Sequence, residues 1–172
     1  MTQIFKGRYT AHTDDPFVVF IIGFRINKIW AIHKWWPASR TMKPMLQTLF
    51  THPEKGFLWA EPFLYRGGAG LIQYWRSFDE LERFARLPSE PHLSAWRRFN
   101  QAIGADGSMG IWHETYLVQA RQYECVYGNM PVFGLARATQ HVPAIGNRET
   151  ARLRLGGHNE PAVPSPATPL QQ

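Results

Sequence analysis

Between Pro16 and Arg25 lies the run Phe17-Val18-Val19-Phe20-Ile21-Ile22-Gly23-Phe24, in which every residue but the glycine is a large apolar one. It is short, β-branched and aromatic, and Asp14-Asp15-Pro16 ahead of it is a turn signal, so it reads as a strand. Side chains alternate along a strand, which places Val18, Phe20 and Ile22 on one face and Val19 and Ile21 on the other. An ordinary two-layer domain buries only one face of its sheet. A strand apolar on both faces asks for a second cover, and a sheet packing on a partner subunit supplies one.

The rest of the chain supplies what such a strand needs. From Asn27 to about Phe50 the apolar spacing is helical, with Ile29, Ile32 and Trp36 and then Met42, Met45, Leu46 and Leu49; Pro37 is expected to divide it into two helices. Gly56 to Tyr65 reads as a strand despite Pro62, the glycines at 67, 68 and 70 as a turn, and Leu71 to Arg76 as the returning strand of a hairpin. Ser77 is an N-cap for a helix whose first turn holds Asp79 and Glu80 and whose inner face holds Leu81, Phe84 and Ala85. A further helix is expected from His92 to Ile103, carrying Leu93, Trp96, Phe99 and Ile103 inward and closed by Gly104. A strand from about Met109 to Val118 follows, then a short one over Gln122 to Tyr127. Strand, helix, strand, strand, helix, strand is the α+β arrangement called split βαβ or ferredoxin-like. The expected division is a flexible segment 1–14, the domain proper at 15–135, an arm at 136–156 and a loose tail at 157–172. All seven Trp lie between Trp30 and Trp112, and no Phe, Trp or Tyr follows Phe133. The end of the chain thus lacks the side chains that dominate core burial.

Composition narrows the function. The formal charge is +6, but signs are mostly interspersed; the one lopsided stretch is 16–53, which holds Arg25, Lys28, Lys34, Arg40 and Lys43 and no carboxylate. Trp30, Trp35 and Trp36 in that stretch can form an interfacial surface, yet no nucleic-acid motif accompanies them. A basic helix with packing aromatics is the simpler reading, and no nucleic-acid partner is expected. A lone Cys125 excludes an internal disulfide and a cysteine-rich zinc site. The longest apolar run is far short of a membrane span, so a cytoplasmic protein is expected. There is no Walker loop, GxGxxG, HExxH or GxSxG.

Three segments hold candidate chemistry. In Gly110-Ile111-Trp112-His113-Glu114-Thr115-Tyr116, alternation sends Trp112, Glu114 and Tyr116 one way and Ile111, His113 and Thr115 the other. His113 among apolar neighbours suits a general base or an axial metal ligand, and equally a structural histidine. Gln73, Tyr74, Trp75 and Arg76 can orient an oxygen-bearing aromatic or polyene ligand, or can rim the core; Arg25 at a strand end can meet a carboxylate or enolate. Asn129 in Tyr127-Gly128-Asn129-Met130-Pro131 offers donors from a loop over a pocket mouth, unless that segment is an interface arm.

The segments VVFIIGFRINK (18–28), LIQYWRSF (71–78), HLSAWRRFN (92–100), GIWHETY (110–116) and YGNMP (127–131), in this order, resemble the monooxygenase-like family named after the fumagillin-pathway antibiotic-biosynthesis-type monooxygenase. The resemblance runs over roughly residues 10–155. It implies a dimeric α+β barrel, two ferredoxin-like protomers packed sheet to sheet as a homodimer. It also implies a small oxygenase of secondary metabolism, acting with O2 on a hydrophobic unsaturated or aromatic compound and needing neither metal nor flavin. His113 is then base or proton shuttle, Asn129 and Arg76 assist it, and Tyr74, Trp75, Gln73, Arg25 and Trp112 shape the pocket. The same superfamily contains haem proteins, among them aldoxime dehydratases. This implies an alternative in which His113 is the axial ligand of a haem iron. A binding module that has lost its chemistry is the third reading.

Overall fold

The computed structural model describes residues 2–39, 42–86, 97, 100–101 and 106–163. The chain forms two compact units, one of residues 18–116 and the other of residues 1–17 with 117–172. These boundaries differ from the sequence division at 14/15 and 135/136.

The doubly apolar strand is β2, Phe17–Ile26, and the central unit is built around it. With β3 (Phe57–Tyr65), β4 (Gly68–Trp75) and β5 (Met109–Val118) it forms a four-stranded sheet ordered β3-β4-β2-β5. Pairing of β2 with β4 and of β4 with β3 is antiparallel, with Ile21 opposite Ile72 and Ile72 opposite Glu61. β2 and β4 are therefore interior strands, and β3, which carries Pro62, is an edge, where a missing N–H is tolerated. The element order and the strand order are those of the ferredoxin-like α+β protomer, as expected.

Helices α1 (Ile32–Ser39), α2 (Met42–Thr51) and α3 (Phe78–Arg86) accompany this sheet. The core gathers Val18, Leu49, Phe57, Ala60, Trp75, Leu81 and Phe84, with Phe20 and Leu46 packed on it. A second cluster joins Met109 to Phe24, Trp35 and Ile111. Every helix residue in these clusters enters on the Val18 side of the sheet. Val19 and Ile21, on the opposite side, are half-buried.

Ser77 is the N-cap foreseen: its hydroxyl accepts from the Glu80 N–H at 3.2 Å and donates to the Glu80 carboxylate at 3.2 Å. Several local expectations are corrected. Ala85 faces solvent, because only Leu81 and Phe84 of α3 reach the sheet. Pro37 lies within α1, which runs to Ser39; the next two residues lie outside the described ones, and α2 runs from Met42. Ile29, Ile32 and Trp36 are exposed, while Ala31 is buried and Trp35 packs into the second cluster. The hairpin turn is Arg66-Gly67, with Gly67 at φ +84°; Gly68 and Gly70 belong to β4. Most of the helix expected from His92 to Ile103, and its cap Gly104, lie outside the described residues.

The other unit is a three-stranded antiparallel sheet ordered β6-β1-β7, from β1 (Phe5–His12), β6 (Tyr127–Met130) and β7 (Gln140–Pro143). Where the sequence reading has a flexible opening segment, β1 is a strand that buries Tyr9, Thr10 and Ala11. The strand expected over Gln122 to Tyr127 starts only at Tyr127. Short helices α4 (Leu135–Ala138) and α5 (Ala151–Arg154) complete this unit. Tyr9 stacks on His141 at 4.4 Å, and Arg154, almost enclosed, pairs with Glu124 and donates to the carbonyls of Arg148 (2.6 Å) and Glu149 (3.1 Å). Burial holds the His141 imidazole below its usual pKa, since charging it there forfeits hydration.

Candidate functional site

β5 is the strand that carries the candidate base. Its alternation is as expected: Met109, Ile111 and His113 look toward the helices, whereas Trp112, Glu114 and Tyr116 look toward the open face. The His113 ring stands 5.7 Å from that of Phe20 on the neighbouring strand and is exposed. Among the described residues it makes that aromatic contact and no hydrogen bond. An accessible imidazole beside an aromatic ring is chemically free to take a proton or to donate a lone pair.

The open face holds a linked aromatic group. The Trp112 indole N–H donates to the Tyr65 hydroxyl at 2.7 Å, which itself donates to the Phe24 carbonyl at 2.6 Å. Trp112 lies flat over Gly23: a Cβ there would fall 2.8 Å from the indole nitrogen. Gly70, opposite Gly23 in the ladder, makes the same room for Phe63. The glycine pair thus lets two large rings fold down on the sheet. Further along, the Tyr116 hydroxyl donates to the Glu114 carboxylate at 2.5 Å, which pushes the phenol pKa up by favouring the protonated form.

The β4 cluster divides between the two sides. Trp75 is 0% exposed and Gln73 5%, and the Trp75 indole N–H donates to the Gln73 side-chain oxygen at 3.0 Å. Trp75 packs edge-on to Phe57 and tilted on Phe84. As placed, it has no surface to offer a ligand. Tyr74, half-buried, shares a row of the open face with Val19 and Trp59. Arg76 holds Glu80 through Nη2 at 2.6 Å and Nε at 3.3 Å, and donates to the Glu54 carbonyl at 3.0 Å. Its fork stabilises the Glu80 carboxylate and holds that pKa below the usual range. Arg25 is exposed at the end of β2, its side chain against the Gly67 turn.

Asn129 belongs to the other unit. It sits on β6 at φ +53°, and its side-chain oxygen accepts from the Gly7 N–H at 2.9 Å where the register of β1 shifts. Its segment is a strand of a sheet rather than a loop over a pocket. That unit also contains a polar cavity of about 450 Å³ lined by Thr10, His12, Asp14, Arg121, Tyr123 and Arg148 among others, which sequence reasoning did not find. Its walls come from segments more than a hundred residues apart, so no local pattern announces it.

Of the predicted residues, then, the structure brings Gln73 and Trp75 together in the core, and His113 with Phe20 on the helix side. Trp112 and Tyr74 are placed on the open face. One residue the sequence reading missed is Tyr65, which anchors Trp112; a tyrosine at a hairpin end carries no distinguishing local signal.

The fold resembles that of aldoxime dehydratase (OxdRE), solved in complex with butyraldoxime, with a TM-score of 0.61 and 20% identity over 77% of this chain and 40% of that one. A second aldoxime dehydratase structure gives a TM-score of 0.58 at 20% identity, covering 79% of this chain and 44% of that one. At this identity the likeness is one of fold. In sequence, the chain is 28% identical over 149 residues to monooxygenase af470 of Aspergillus fumigatus, covering 75% of this chain and 53% of that protein, so it spans about half the length of this relative. Residues 17–135 match the model of the family described as monooxygenase af470-like. The chain belongs to the monooxygenase af470-like family.

Proposed function

We propose that the protein is a small oxygenase for a hydrophobic unsaturated or aromatic metabolite, with His113 as the base. The observation that supports this most is the accessible His113 imidazole on the helix-facing side of the sheet, beside Phe20, in a chain of a monooxygenase family. His113 takes a proton from an activated CH2 of the substrate. The carbanion passes one electron to O2, the radical pair joins as a C–O bond, and loss of water from the hydroperoxide leaves a carbonyl. Carbon supplies all the electrons that O2 consumes. Phe20 beside the imidazole offers an apolar wall against which the substrate packs. Two copies are proposed to pack their open sheet faces together, covering Val19, Ile21, Ile72 and Trp112.

Oxygen uptake with a panel of polyenes and hydroxyaromatics tests the activity. Uptake is expected to fall by about 10²–10⁴-fold in His113→Ala, the usual worth of a general base. Tight ligand binding with no oxygen consumed under any condition would show a binding module instead. A monomer at all micromolar concentrations would refute the paired sheets.

The specific observation that favours haem as a second reading is the same imidazole, open to solvent and free of hydrogen bonds among the described residues. His113 would hold the haem iron, and the haem would supply the redox or Lewis-acid chemistry. Protein expressed with haem precursor is expected to show a Soret band lost in His113→Ala; colourless protein that takes up no haem on titration removes this reading.

A further inference from the structure

One end of the central unit is built for a surface rather than for the core. There β2 leaves the sheet, the β3–β4 hairpin turns, and β5 begins. These pieces are stitched together: the Ile26 N–H donates to Gly67 at 2.7 Å, and the Asn27 and Lys28 N–H groups donate to the Ser108 carbonyl at 2.9 and 3.1 Å. The Lys28 ammonium reaches the Asp106 carbonyl at 3.1 Å. The segment that follows is anchored on one side only. Ala31 is buried, and Trp35 packs on Phe24, Met109 and Ile111 while its indole donates to the Ile29 carbonyl at 3.0 Å.

The other side of this segment is apolar and faces water. Ile29 is 74% exposed and Trp30 78%, and Ile32 and Trp36 are each more than half exposed. Leu64, at the hairpin of the same end, is 86% exposed. Single exposed apolar residues need no explanation, but five large ones at one end of a unit do. Among the described residues the charges at this end are mainly positive. Arg25 and Arg66 are exposed at this end, Lys28 joins them, and no Asp or Glu occurs from 16 to 53. Asp106, beside Lys28, is the exception, and its Oδ1 accepts from the backbone N–H and the hydroxyl of Ser108.

We infer that this end docks on an anionic lipid surface, with Ile29, Trp30, Ile32 and Leu64 entering the headgroup boundary and Arg25, Lys28 and Arg66 meeting lipid phosphates. Tryptophan and aliphatic side chains ringed by cations are the composition of an interfacial anchor. Among the described residues no helix is long and apolar enough to cross a membrane, so the contact is peripheral. The inference stands apart from the oxygenase reading, since none of its residues is the proposed base.

Co-sedimentation of the full chain with vesicles tests it. Binding is expected to phosphatidylcholine vesicles containing phosphatidylserine and not to phosphatidylcholine alone, and to weaken as salt rises. The double variant Ile29→Ser, Trp30→Ser is expected to lose at least about tenfold in partitioning. Arg66→Gln is expected to lose about fivefold. All three side chains are exposed, and circular dichroism of each variant verifies its fold. Equal vesicle binding by the variants, or no binding to anionic vesicles, overturns the proposal. So does a double variant whose main change is loss of self-association, which would make this end a contact between copies, or loss of oligonucleotide binding.

Discussion

Replacing Trp75 by Phe and Gln73 by Met, singly and together, measures whether these two residues belong to each other or to a ligand. The Trp75 indole is fully enclosed, and its N–H reaches the Gln73 oxygen at 3.0 Å. Trp75→Phe leaves that oxygen unpaired in the core, a loss of about 1–3 kcal/mol, to which the smaller ring adds about 1 kcal/mol of cavity. Gln73→Met keeps the chain length and leaves the indole N–H without its acceptor, again about 1–3 kcal/mol. In the double variant neither polar group is stranded. Its total cost should therefore fall short of the sum by about 1–2 kcal/mol. Urea denaturation followed by far-UV circular dichroism reads all four proteins. Costs that add within about 0.3 kcal/mol would show that the bond is absent from the native state. A Gln73→Met protein of unchanged stability but weakened substrate binding would return Gln73 to the ligand.

Gly23→Ala is expected to destabilise by about 1–3 kcal/mol, because its Cβ would meet the Trp112 indole at 2.8–3.0 Å and displace it from Tyr65; Trp112→Leu in the same chain should recover part of that loss in thermal denaturation. Glu80 has a lowered pKa, first through its hydrogen bond to Arg76, so its stabilisation is complete above the unfolded carboxylate value and is lost as pH falls through the folded one. Urea midpoints across the acid range should show that fall, flattened in Glu80→Gln, and Ser77→Ala should lose about 1 kcal/mol of capping at neutral pH; a wild-type curve unchanged by Glu80→Gln would refute the assignment. Asn129→Ala should cost about 1–2 kcal/mol, since alanine tolerates φ +53° poorly and cannot accept from Gly7, and Asn129→Gly should cost less. Equal losses would show that the backbone conformation contributes nothing there.

What the sequence by itself determined was local in origin. Alternation along Met109–Val118 assigns His113 and Trp112 to opposite faces, and the doubly apolar Phe17–Phe24 reads as a strand that asks for cover on both faces. Ser77 followed by Glu80 marks the start of a helix, and the glycines after Tyr65 mark a turn. Each of these patterns lies within a few residues, the range over which backbone sterics and side-chain period act. Only the tertiary structure decided the rest. Phe5–His12 has little apolar signal and becomes a strand because β6 and β7, more than a hundred residues later, supply its hydrogen bonds. Helical spacing cannot say which stripe of Ile29–Trp36 turns inward; Phe24, Met109 and Ile111 choose Trp35 and leave Trp30 in water. Arg76, Asn129 and Trp75 have the chemistry of ligand-binding groups, yet the Arg76 guanidinium holds Glu80, the Asn129 oxygen accepts from Gly7, and the Trp75 indole N–H donates to Gln73. A side chain's chemistry is written in its residue type, but whether that chemistry is spent inside the fold depends on partners that only folding brings near.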